Sequence, residues 1–81
     1  MTTKISTFYT GGGITLAETY LNKNHYAVVS SEAPDFLTIY SYSNGETSYL
    51  PEDMVESKHK DDLTPELKPV YEKMLFNLKS A

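Results

Sequence analysis

The stretch Phe36-Leu37-Thr38-Ile39-Tyr40-Ser41-Tyr42-Ser43-Asn44-Gly45-Glu46-Thr47-Ser48-Tyr49-Leu50 decides the fold class of this chain. Phe36–Tyr42 is dense in β-branched and aromatic residues, which suit a pleated, half-buried surface, and it reads as a strand. Asn44-Gly45 follows, the pair best able to take the positive φ angles of a two-residue hairpin turn. Glu46–Leu50 then reads as a returning strand. If Ser43 faces Glu46, Tyr42 faces Thr47, Tyr40 faces Tyr49 and Ile39 faces Leu50. Side chains alternate across a sheet, so Leu37, Ile39 and Leu50 share one face, and Phe36, Tyr40, Tyr42 and Tyr49 share the other. The aliphatic face is the expected core.

Towards the N-terminus the same texture continues. Lys4–Thr10, Ile14–Leu21 and His25–Ser31 read as strands, separated by Gly11-Gly12-Gly13 and by Asn22-Lys23-Asn24. Glu32-Ala33-Pro34-Asp35 reads as a loop, because Pro34 cannot donate to a ladder and pushes Ala33 towards an extended conformation.

Towards the C-terminus the period changes. Pro51 suits a first helical position, and Glu52 and Asp53 complement a helix dipole, so 51–60 reads as a short surface helix. Thr64-Pro65-Glu66 is a second start signal. Leu67, Val70, Tyr71, Met74, Leu75 and Leu78 then recur at helical spacing and form one apolar stripe. Pro69 either bends that helix or marks its start. The predicted architecture is one α+β domain over residues 1–81. Its antiparallel meander of four to five strands (residues 4–50) carries a short helix (51–60) and an amphipathic C-terminal helix (65–80) packed on one face.

Composition narrows function mostly by exclusion. The 81 residues carry no Cys and a net charge of −4, with seven Lys and no Arg. Lacking cysteine, the chain has neither a disulfide framework nor thiolate metal ligands. Arg is the preferred bidentate group for phosphate and guanine, and an acidic surface repels the nucleic-acid backbone, so nucleic-acid partners are not expected. No apolar run approaches the roughly 18 residues of a membrane span, and no leader-like stretch stands at the N-terminus, so a cytoplasmic location is expected. Gly11-Gly12-Gly13 lacks the Gly-Lys-Ser/Thr ending and following helix of a phosphate loop. His25 and His59 are too far apart in sequence, and too few, for a recognisable metal site. No Cys nucleophile or Gly-x-Ser-x-Gly elbow is present. The reading is therefore a non-enzyme without cofactor or metal.

Two surfaces are candidate sites. Phe36, Tyr40, Tyr42 and Tyr49 present large contact areas with a polar tip, the chemistry of interface hot spots. Glu52, Asp53, Glu56, Asp61 and Asp62 form a second, acidic candidate. The expected function is a small acidic protein–protein interaction or regulatory module, an inhibitor or accessory subunit, with a protein partner or a second copy. One alternative is an oligomeric small-ligand-binding protein or enzyme subunit with its site between protomers. The other is single-strand nucleic-acid binding by the aromatic face.

Overall fold

In the computed structural model, which describes residues 4–42 and 53–80, the strand texture forms one antiparallel sheet. Its strands are β1 (Ser6–Tyr9), β2 (Thr15–Tyr20), β3 (His25–Ser30), β4 (Ala33–Ser41) and β5 (Met54–His59), lying side by side in chain order. A 3-10 turn at Lys60–Asp62 leads to the helix α1, Leu67–Ser80. The α+β meander with a C-terminal helix is thus the architecture of the chain.

The glycine run makes the first turn as expected. Gly11 and Gly13 adopt φ of 90° and 82°, a region that favours residues without a Cβ. The second turn is held by Asn22, whose Oδ1 accepts from the Asn24 N–H at 2.7 Å.

Two expectations are corrected. Residues 33–35 are not a loop but the start of β4. Pro34 is tolerated because the β3–β4 register shifts between Val28 and Ser30, where a missing N–H breaks no regular ladder bond. The short helix expected over 51–60 is not formed: Met54–His59 is the fifth strand, paired with Phe36–Tyr40. A helix there would have had only Met54 and Val55 to bury, whereas an extended chain satisfies the backbone groups along the second edge of β4. Tyr40 lies between Tyr26 on β3 and Met54 on β5, and its expected partner Tyr49 lies outside the described residues. The Asn44-Gly45 turn, the Glu46–Leu50 strand and Leu50's place in the core lie outside the described residues.

α1 begins two residues later than the Pro65 signal. Thr64 caps it, its Oγ1 accepting from the Leu67 N–H at 3.3 Å and its carbonyl from the Lys68 N–H at 3.0 Å. Pro69 comes directly after that first i→i−4 bond; having no N–H it leaves the Pro65 carbonyl without a helical donor, and the continuous helix runs from Leu67.

The helix packs on the aliphatic face. Tyr71, Met74 and Leu78 meet Ala17, Ala27, Val29, Leu37 and Ile39, with Leu67, Val70 and Leu75 at the margin. Ala17 and Ala27 sit on the two strands that α1 overlies, and their small side chains let the helix approach closely. The Tyr71 hydroxyl donates to the Pro34 carbonyl, tying the helix to the start of β4. Burial raises the Tyr71 pKa, and the neighbouring Asp35 and Asp61 carboxylates add to the rise against the opposing Lys60 charge.

Candidate interaction face

With the helix on the aliphatic side, strand alternation puts the aromatic residues together on the opposite face. Tyr20 on β2 lies across from Tyr26 on β3, and Tyr26 lies across from Tyr40 on β4. One row of the sheet is thus tyrosine on three successive strands. The Tyr26 and Tyr40 rings stack, with centroids 5.5 Å apart and planes 17° off parallel. Tyr42 joins from the end of the sheet, 5.7 Å from Tyr26 and 5.2 Å from Tyr20, and its hydroxyl donates to the Asn22 carbonyl at 3.1 Å. Tyr20 closes the group edge-on to Tyr26 at 6.3 Å. Such offset and edge-on geometries are the favoured ones for aromatic rings.

Within this cluster the rings differ in role. Tyr26 is fully buried, Tyr40 and Tyr42 are half-buried, and Tyr20 is 53% exposed. Tyr26 is the pedestal on which the others rest, and Tyr20 is the ring that water and a partner can reach. Two rows further along, Phe36 is 43% exposed and stands edge-on to His59 at 5.2 Å. Between Phe36 and Tyr40 lies a groove of about 160 Å³ lined by Leu16, Val28, Ser30 and Thr38. Its lining is mostly apolar, with the hydroxyl residues Ser30, Thr38 and Tyr40 among it.

The structure therefore brings three of the expected face residues, Phe36, Tyr40 and Tyr42, to one surface; Tyr49 lies outside the described residues. Sequence reading missed Tyr20 and Tyr26. Their signal was available: a three-residue turn at 22–24 sets Leu21 opposite His25 and hence Tyr20 opposite Tyr26, the pairing observed.

Among the described residues the acidic candidates are spread over β5, the 3-10 turn and the residue before β5. The expectation assumed helical spacing, and the segment is extended instead. Glu56 shares its side of β5 with Lys58, to which it is paired at 3.9 Å. Asp61 and Asp62 belong to the 3-10 turn, and Asp61 lies 3.4 Å from the His59 ring. The Asp53 carbonyl accepts from the Ser41 hydroxyl, and Glu52 lies outside the described residues. Among the described residues, no group of three His, Cys, Asp or Glu side chains is placed to hold a metal ion. No helix among them is long and apolar enough to cross a membrane.

Compared with protein-family models, with curated proteins and with solved structures, the chain matches none of them.

Proposed function

We propose that this chain is a small protein–protein interaction module, an inhibitor or accessory subunit, which meets its partner through the sheet face opposite α1. One observation carries the reading: the exposed Tyr20 ring stands on that face over a packed tyrosine pedestal, and the exposed Phe36 ring stands edge-on to His59 on the same face. A ring whose neighbours already hold it loses little rotamer freedom on binding, so its contact area is not offset by ordering cost. Tyrosine also offers a hydroxyl at the rim of an apolar contact. The groove beside it is smaller than the roughly 300–1,000 Å³ of ordinary small-molecule pockets, which favours an inserted side chain over an enclosed ligand. The net charge of −4 favours a partner with a basic rim and fast, salt-sensitive association.

The test compares two variants of equal chemistry on opposite surfaces. Tyr20→Ser combined with Phe36→Ser alters the proposed face, whereas Phe76→Ser alters an exposed ring on α1, 71% accessible. Quantitative co-purification should lose a specific partner with the first variant and keep it with the second, both remaining folded by circular dichroism. Equal recovery of the same partner by all three proteins would refute the reading.

A further inference from the structure

The two edges of the sheet are unlike. β5 carries the usual protections of an outer strand: a register shift between Ile39 and Tyr40 opposite Val55, and the charged side chains of Glu56 and Lys58. β1 has neither. Its sequence is Ser-Thr-Phe-Tyr, all four residues are exposed, its pairing with β2 is regular, and among the described residues it pairs with no other strand.

Antiparallel geometry says which of its backbone groups point outward. The Thr10 N–H donates to the Ile14 carbonyl at 2.9 Å, and the Lys4 carbonyl accepts from the Thr19 hydroxyl at 2.8 Å. Even-numbered residues thus turn their backbone groups towards β2. Alternation leaves the N–H and C=O of Ile5, Thr7 and Tyr9 directed away from the sheet.

We propose that β1 pairs with β1 of a second copy of this chain, antiparallel about a two-fold axis through Thr7, giving a continuous ten-stranded sheet. Three features select a second copy. First, the edge is self-complementary: centring on Thr7 sets Thr7 against Thr7, Ile5 against Tyr9 and Ser6 against Phe8. All the outward-directed groups of Ile5, Thr7 and Tyr9 then exchange bonds, whereas shifting the axis by one residue leaves some unpaired. Second, charge permits the approach. The chain carries −4 overall, yet its first acid is Glu18, and Lys4 would stand beside the uncharged Thr10. The edge strand itself carries no acid, and Glu18, opposite Ser6, stands one strand in from the seam. Third, the helices do not collide. α1 lies over β2 and β3, and strands spaced about 4.8 Å put the two β2 strands about 14 Å apart, beyond the 8–10 Å of packed helices. The axis is perpendicular to the sheet, so both tyrosine faces lie on one side of the dimer. The dimer rests on β1 alone and does not depend on what the tyrosine face binds.

The strip offered by one short strand is well below the roughly 1,200–2,000 Å² of a stable interface, so the dimer is weak. Sedimentation equilibrium up to about 1 mM chain should show reversible dimerisation. Thr7→Lys and Thr7→Glu each place like charges face to face at the axis, and each should weaken association at least about tenfold while leaving the monomer folded. Mixing the two variants should restore association to the wild-type level or beyond. Thr7→Pro removes an outward N–H that no intrachain bond uses, and it should also give a folded monomer. A wild type that stays monomeric at 1 mM would overturn the proposal, and so would a dimer that survives Thr7→Lys or charge variants that fail to rescue one another.

Discussion

Tyr26 and Tyr20 are the same residue type, face each other across adjacent strands, and point to the same side of the sheet, yet they should respond very differently to truncation. Tyr26 is 0% exposed and Tyr20 is 53% exposed. Full burial of a tyrosine removes about 150–250 Å² from water, worth about 4–6 kcal/mol at ~25 cal/mol per Å². An extended-chain reference overstates burial by roughly 10–40%, which brings Tyr26→Ala to about 3–5 kcal/mol. Tyr26 also touches the Tyr20, Tyr40 and Tyr42 rings, so its loss removes three ring contacts at once. Tyr20→Ala removes about half as much buried area and two ring contacts, and it should cost about 1.5–2 kcal/mol. An 81-residue domain has about 4–12 kcal/mol in total. Tyr26→Ala therefore takes a large share of the stability, while Tyr20→Ala leaves the chain folded. Urea denaturation followed by far-UV circular dichroism gives both values, provided the m-value is unchanged between variants. Costs equal within about 0.5 kcal/mol would refute the division of the tyrosine row into a buried pedestal and an accessible ring.

Met74 is fully buried and Leu75 only partly so; Met74→Ala should cost about 2–5 kcal/mol in the same assay and Leu75→Ala clearly less. Tyr71 has a pKa raised above its ordinary 10.0, so the folded state holds that proton more tightly than the unfolded chain. The resulting stability is fully present below about pH 10 and lost as pH rises through the folded-state value. Tyr71→Phe should lower stability at neutral pH by about 0.5–1.5 kcal/mol, through loss of its bond to the Pro34 carbonyl, and flatten the alkaline decline in urea titrations run from pH 7 to 11.5. Fluorescence anisotropy with mixed-sequence single-stranded DNA should show no binding at physiological salt, because the tyrosine face belongs to a chain of net charge −4 without Arg. Micromolar affinity that weakens with added salt would overturn that argument.

What could be read from the sequence depended on whether a segment's local pattern and its tertiary role agreed. The stripe Leu67, Val70, Tyr71, Met74, Leu75 and Leu78 carries a helical period and buries along it, so period and packing name the same element. Met54–His59 shows the opposite case. It has a proline and two acids just before it, two adjacent apolar residues and then alternating charge, a pattern that local rules assign to a surface helix. It is a strand because β4 presents a second row of hydrogen-bonding groups, and an outer strand needs no apolar stripe of its own. That demand is a property of β4 and is invisible in residues 54–59. The tyrosine row falls between the two cases. Each ring was legible by alternation along its own strand, but the row appears only when the registers of β2, β3 and β4 are carried across the sheet together, which sets Tyr20, Tyr26 and Tyr40 in line. One residue of slip in either hairpin would have turned one strand's tyrosine to the helix side and dissolved the row. The face proposed for recognition is thus a product of two turns, Asn22–Asn24 and the register shift near Pro34, and a change at either should be felt at the tyrosines before it is felt in the helix.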